Sequence, residues 1–499
     1  MTRALPRIDR FAEGLGHARA RRWAEALAAY EAALRERPEH PDILFALGEA
    51  AEALGMTAAA LDFYARVSRA EPEKPRASVR LSAVLVRLGR RADALTLLQD
   101  AIAATPAAAS LWLAAGNLRR AEDDLANAEL FFREALRLKP KFAEAMASLA
   151  DALFDQHKDD EALTLADRAI ALKPQDAQMR LSRAFMRLTQ GDLKRGWDDY
   201  EYRLRIPARA VERNHGCKAW SSGPRHGKTL LILSEQGVGD QMLFASCFAD
   251  LDGDGPVIVE CEPRLAPLFA RSFPGIRVHA HTLRGEGARR IMDYAWLREA
   301  GGAQLSVEMG SLPRLRRARR EDFPAPHAYL KPDEAEAAHW RSWLANLGPR
   351  TIGICWRSGD MSGLRALQFA PLDAWARFLG SRSETLVSLQ YDATPDEIAE
   401  LSERCGKPIH VPPGLDQKQE LDRTTALIAN IGTVVSAPTA VSMLSGALGV
   451  PTLKILYDRA WTSLGEDVEP FMPSVRCIRP PRAGDWDGAF SAAANRLTR

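Results

Sequence analysis

The chain has 499 residues, 26% of them charged and 46% apolar, and 67 Lys and Arg against 65 Asp and Glu give a formal net charge of +2. That length exceeds one hydrophobic core and predicts two to four domains, while the balanced charge excludes electrostatic adhesion to nucleic acid or membrane. Six cysteines without a Cys-x-x-Cys pair exclude a zinc ribbon or disulfide framework and point to a reducing compartment.

From the start, MTRALPRIDRFAEGLG carries no apolar core of signal-peptide length, and no segment approaches the ~18 apolar residues of a membrane span. The expectation is a cytoplasmic protein. The next 200 or so residues are periodic. Pro38, Pro72, Pro106, Pro140 and Pro174 stand 34 residues apart, in step with Ala26, Ala60, Ala94, Ala128 and Ala162. Tyr30, Tyr64, Leu98 and Phe132 keep the same register, and Gly55, Gly89 and Gly191 fall between the two helices of their units. A 34-residue period of this kind is that of a tetratricopeptide (TPR) array. Small residues let helices approach, the bulky residue fills the gap, and each proline opens the next unit. Such a stack offers a groove for an extended peptide or another protein. A sixth unit runs from about Ala177 to the aromatic run Trp197, Tyr200 and Tyr202, which is expected to bury the end of the array.

Residues 207–228 carry no period and read as a linker between an array over 1–206 and a second, α/β region. Leu230-Leu231-Ile232-Leu233 is then a short apolar run, as a buried parallel strand requires. Helix and strand alternate through Val257–Val259 and Ile276–Val278. Residues 284–332 lose the pattern and read as a crossing of a cleft mouth, with Arg314, Arg316, Arg317, Arg319 and Arg320 as a solvated helix face. Alternation resumes with strands at 351–356, 386–389, 434–436 and 452–456. Two Rossmann-like lobes, 229–333 and 334–499, emerge from this pattern.

Two phosphate motifs fail. Gly223 to Thr229 has three residues between its glycines where a Walker loop needs four, and it precedes the strand. Gly237-x-Gly239 has Met242 where a dinucleotide fold needs its third glycine. Three constellations at strand ends remain. Glu235, Gln236, Gly237 and Gly239 bring backbone amides to a turn, with Asp240 placed either to cap the next helix or to accept a proton. Ser436, Pro438, Thr439, Ala440 and Val441 open a small-residue helix whose N-terminus suits a phosphate, or is simply packed close to the sheet. Trp356, Arg357 and Ser358, with Arg365 beyond and Gln390 and Tyr391 on the next strand, offer either anion contacts or a salt bridge. His279, His281 and His410 have no metal-ligand spacing, and no metal is expected.

The blocks TLLILSEQGVGDQMLFAS, TIGICWRSGD with Arg365, and VVSAPTAVSMLSGALGVPTLKIL, with Gly196-Trp197 and Tyr200-Glu201, resemble a known group. They resemble bacterial proteins that join a TPR array to a glycosyltransferase domain of the GT-B type, nearest the flagellin glycosyltransferases of α-proteobacteria and more distantly the ADP-heptose transferases. The resemblance implies an α-solenoid followed by an α/β GT-B-like domain of two Rossmann-like lobes. It implies metal-independent sugar transfer from a nucleotide donor on the second lobe to an acceptor on the first, with Asp240 as base and Thr439 at the donor phosphate. Pro438 and Met443 depart from the Asp-Thr or Asp-Ser-Gly and the His of the heptose transferases, so ADP-heptose is not the expected donor. A CMP-linked nonulosonic acid such as pseudaminic acid, met by Arg357 and Arg365, is. The expected activity is O-glycosylation of Ser or Thr on flagellin docked in the TPR groove. Two alternatives are a scaffold or assembly factor that has lost its chemistry and a transferase acting on lipopolysaccharide or another glycan.

Overall fold

The computed structural model describes residues 9–207, 211–251, 253–285, 290–325, 327–361 and 363–497. Its contacts divide into two compact units, Met1–Met179 and Arg180–Arg499.

The helical region is six antiparallel pairs: α1 (Arg10–Arg19) with α2 (Trp23–Glu36), α3 (Pro41–Ala53) with α4 (Thr57–Ala70), α5 (Pro75–Arg87) with α6 (Arg91–Ala104), α7 (Ala109–Ala121) with α8 (Leu125–Leu138), α9 (Ala143–Asp155) with α10 (Asp159–Leu172), and α11 (Ala177–Thr189) with α12 (Leu193–Tyr200). It is an α-solenoid of tetratricopeptide type. Every hairpin turns through one residue of positive φ, at Arg21 (54°), Gly55 (74°), Gly89 (76°), Asp123 (63°), His157 (61°) and Gly191 (81°). The turn geometry therefore keeps the 34-residue register where glycine has been lost. The repeated aromatics fill gaps that other glycines leave: a Cβ on Gly14, Gly48 or Gly116 would lie 2.5 Å from the ring of Tyr30, Tyr64 or Phe132. The five spaced prolines stand in the turns after α2, α4, α6, α8 and α10 rather than opening a helix; Pro41 and Pro75 do that, at the first helical turn. The unit boundary falls inside α11, so nearly all of the sixth pair belongs to the compact unit of the α/β region.

That region holds two sheets of parallel strands. The first comes after β1 (Glu212–Arg213), and comprises β2 (Lys218–Ala219), β3 (Leu230–Leu233), β4 (Val257–Cys261), β5 (Arg277–Ala280) and β8 (Leu305–Glu308), in the order β2-β8-β3-β4-β5. Strands β6 (Leu283–Arg284) and β7 (Ile291–Met292) pair with β1 in a small separate ribbon. Helices α13 (Val238–Ala245), α14 (Ala266–Ser272), α15 (Trp296–Glu299) and α16 (Leu312–Arg316) complete the lobe. The stretch read as a cleft crossing thus supplies β8, which pairs with β3 in the middle of the sheet. Ser306 and Glu308 interrupt its apolar run, which is why the sequence hid it. Nor is Arg317 solvated: it is 1% exposed and donates to Ser246 and Asp250.

After α17 (Glu334–Ala345) come β9 (Thr351–Cys355), α18 (Leu372–Gly380), β10 (Thr385–Ser388), α19 (Pro395–Cys405), β11 (Ile409–His410), α20 (Leu421–Ile428), β12 (Thr433–Ser436), α21 (Ala440–Ala447), β13 (Thr452–Ile455), β14 (Val475–Ile478) and α22 (Trp486–Leu497). Their order is β11-β10-β9-β12-β13-β14, all parallel. Strands β3, β4, β9 and β13 are buried throughout; β3 is a continuous apolar run, whereas β4 and β13 carry the buried polar residues Glu260 and Lys454. Strand order reverses between β9 and β12 in this sheet and between β3 and β8 in the first, the strands themselves staying parallel. Ligands of such sheets bind in the crevice beyond the carboxyl ends at that reversal.

Candidate functional site

At the second sheet's reversal, β9 ends at Cys355 and β12 at Ser436. Thr439 is the N-cap of α21, its Oγ1 accepting the Val441 N–H at 3.3 Å and lying 3.2 Å from Ser436 Oγ and 3.4 Å from Cys355 Sγ. Burial pushes the Cys355 thiol up to about 12, so it stays protonated beside these hydroxyls. Pro438 and Ala440 are half-buried at the mouth, and Val441 is buried behind them.

The polar groups on the β9 side divide sharply. Trp356 is 1% exposed and donates from Nε1 to Glu397 at 2.7 Å. Gln390 accepts the Trp356 and Arg357 N–H groups at 2.9 and 3.0 Å and donates to the Arg357 carbonyl and Asp392, both at 2.9 Å. Arg357 forks onto Glu397 and meets Asp392 at 3.0 Å. The hydrogen bond to Glu397, opposed by burial, holds its guanidinium above the usual range. Burial works to raise Glu397, but its bonds to Arg357 and Trp356 prevail and hold it low. Trp356, Arg357 and Gln390 therefore brace the strand end, the salt-bridge side of the two readings. Tyr391 borders the opening and its OH accepts the Gly359 N–H at 2.8 Å, while exposed Arg365 donates to the Oγ of buried Ser358 at 3.3 Å. Among the described residues Arg365 makes no ion pair.

The first sheet's reversal is filled. Arg203, 1% exposed, comes from the 3-10 turn Glu201–Arg205 after α12 and donates to both oxygens of Glu235, at 3.0 and 2.6 Å, and to Ser311 Oγ at 2.9 Å. Glu235 Oε1 also accepts the Gly310 N–H at 2.6 Å. Gln236, with φ 62°, donates to Tyr200 OH at 2.8 Å. Tyr200 and Trp197 of α12 pack on Trp461 and, respectively, on Phe244 and Phe471. The sixth helix pair thus touches both lobes, and its aromatic run is packing. Asp240 Oδ2 accepts the Gly237 N–H at 3.2 Å, the capping geometry. Sequence reasoning missed Arg203, whose partners lie up to 108 residues away.

The two crevices meet. A Cβ on Gly239, at the start of α13, would lie 3.6 Å from Met443 and 3.7 Å from Ala440 of α21, so the helix N-termini abut. Beside them is a cavity of about 180 Å³, bounded by Val238, Met242 and Arg264 of the first lobe and Leu389, Tyr391 and Val441 of the second.

Tetratricopeptide repeat families match residues 11–75, 80–143 and 119–184. Among solved structures the chain is similar to TTC0263, a thermophilic TPR protein in Thermus thermophilus (26% identity, 36% of this chain and 97% of that one, TM-score 0.33). It is also similar to MamA protein (20%, 34% and 92%, TM-score 0.28). Across 489 residues it is 35% identical to Protein FlbA of Caulobacter vibrioides, covering 95% of this chain and 81% of that protein. With repeats and α/β region matched together over that length, the chain belongs to the family of Protein FlbA.

Proposed function

We propose that the protein is a GT-B glycosyltransferase that moves a sugar from a nucleotide donor to a Ser or Thr hydroxyl of a protein held by its repeat array. One observation carries this reading: two parallel sheets present their carboxyl ends to each other, and helix N-termini from both meet there. The positive end of α21, the Thr439 hydroxyl and the exposed guanidinium of Arg365 suit the donor's phosphate, and its departure as an anion, without a metal. The turn 235–240 gives the acceptor side.

In the repeats, a groove of about 740 Å³ runs along α5 and α7, with Val79, Ala83, Val86 and Leu113 as its apolar floor and Arg80, Arg87, Asn117 and Glu144 around it. That lining suits an amphipathic segment of a protein partner. Flagellin is the acceptor, and a CMP-linked nonulosonic acid such as pseudaminic acid the donor, as the sequence resemblance implies. A scaffold without chemistry is the second reading, favoured by the size of the inter-lobe cavity, about 180 Å³ against the ~300 Å³ or more of ordinary ligand sites.

The deciding measurement is the intact mass of flagellin from cells with and without this gene. A loss of whole sugar units on deletion supports transfer. An unchanged mass removes flagellin as the acceptor and favours the scaffold.

A further inference from the structure

Strands β3, β4 and β5 end side by side, and together they deliver Ser234, Glu260 and His281 to the carboxyl edge of the first lobe. Glu260 is fully buried. Its Oε1 accepts from the Ser234 N–H at 3.1 Å, the Ser234 hydroxyl at 2.6 Å and Arg213 Nη1 at 2.7 Å. Arg213 also donates to Tyr294 OH at 2.6 Å. The second oxygen, Oε2, is buried without a partner among the described residues. Ser234 Oγ lies 2.9 Å from His281 Nδ1.

Proton counting fixes the imidazole. A hydroxyl has one proton, and Ser234 gives its own to Glu260, so Oγ must accept from His281. Nδ1 then carries the ring proton and Nε2 the lone pair. This is the reverse of a hydrolase triad, in which the serine donates to the histidine. Ser234 is therefore no nucleophile; it is the clamp that sets the tautomer. The His281 N–H is tied to the Cys261 carbonyl at 2.8 Å. Three residues after Cys261, Arg264 donates to the Lys418 carbonyl of the second lobe at 2.7 Å and borders the inter-lobe cavity. His281 itself stands half-buried directly after β5, on the same carboxyl edge as the turn that follows β3, and its Nε2 has no partner among the described residues.

We propose that His281 is the general base of the transfer, taking the proton of the acceptor hydroxyl on Nε2. The assignment rests on the glycosyl-transfer reading and gives Asp240 the capping role alone. In the step, the acceptor oxygen bonds to the anomeric carbon while that carbon's bond to the donor phosphate oxygen breaks. The nucleotide leaves with the electron pair, and the acceptor proton ends on His281.

Burial favours a neutral ring against the nearby carboxylates. Burial, the largest influence, lowers His281 below its usual value; Glu260 on β4 and Glu262 beyond it oppose this, and Arg213 on β1 reinforces it. Tyr294, packed beside Arg213, is held protonated by burial. A base must be unprotonated, so transfer should persist at neutral pH and fall as pH drops through that lowered value.

The test uses the full chain, CMP-pseudaminic acid and purified flagellin. In His281→Asn the amide keeps a donor to Ser234 but offers no base. We expect kcat to fall by about 10²–10⁴-fold with KM little changed, and the acidic limb of the pH profile to vanish. Turnover within a few-fold of wild type, or an unaltered acidic limb, overturns the assignment. Should that variant fold poorly, diethyl pyrocarbonate on the wild type decides: His281 is expected to be carbethoxylated and protected by flagellin, and a ring that resists the reagent overturns the proposal. An inert wild type overturns the transferase reading and the base with it. An active wild type with an equally active variant overturns the base alone.

Discussion

The two lobes share the strand order around their reversals but use those reversals in opposite ways. In the second lobe the reversal between β9 and β12 opens onto hydroxyls and a helix N-terminus. In the first, the same place between β3 and β8 is closed by Arg203, brought in by the turn after the sixth helix pair and locked by Glu235, Gly310 and Ser311. Topology says where a crevice forms; it does not say which side chains fill it. One crevice is left open, and the other is filled by the turn that follows the sixth helix pair. The turn 235–240 consequently has one face on the helical pair, through Glu235 and Gln236, and the other on the cleft, through Gly239.

Removing the plug gives the sharpest break. Arg203→Ala leaves the carboxylate of Glu235 largely buried without its counter-ion, a loss of about 3–5 kcal/mol. Denaturant midpoints would read it. The matching change in the open crevice, Arg357→Ala, should cost about 1 kcal/mol, because the pair with Glu397 is partly solvated. Equal costs would mean that the first crevice is no more closed than the second.

Glycines extend the contrast on a smaller scale. A Cβ on Gly310 would sit 2.6 Å from Glu235 Oε1 and 3.1 Å from Arg203 Nη2, groups that cannot retreat, so Gly310→Ala should cost about 1–3 kcal/mol. A Cβ on Gly359 would meet Asp392 Oδ2 at 2.8 Å, but that carboxylate is the movable tip of a part-exposed side chain. Gly359→Ala should stay within about 0.5 kcal/mol. Thermal unfolding of both variants beside wild type checks the ranking.

Legible and hidden features of the sequence divide along the same line. Local signals were legible: the 34-residue register and the strands β3 and β9, because each is written in neighbouring residues. Partners distant in the chain were not. Arg317 looked solvated because its acceptors, Ser246 and Asp250, lie some 70 residues earlier. Trp356, Arg357 and Gln390 looked like ligand contacts because strand ends commonly carry them, yet one another and Glu397 use up their polar groups. Conversely, β8 was lost because two polar residues broke a four-residue run, although both neighbours of that strand are paired with it in the sheet.

Thr439 gives a modest expected change in stability and bears directly on which crevice is the ligand site. Its Oγ1 caps α21, and Thr439→Ala should cost about 1 kcal/mol, while Thr439→Ser, which keeps the oxygen, should cost a few tenths. The informative quantity is the rise in Tm that CMP produces. If the donor phosphate sits on this helix start, the alanine variant should lose most of that rise and the serine variant keep it, since only the second retains the hydroxyl. Arg203→Ala should lower Tm with and without CMP by the same amount, because nothing bound at α21 touches the plug. A CMP-induced rise that survives in Thr439→Ala but disappears in Arg203→Ala would transfer the ligand to the first crevice and reverse the comparison.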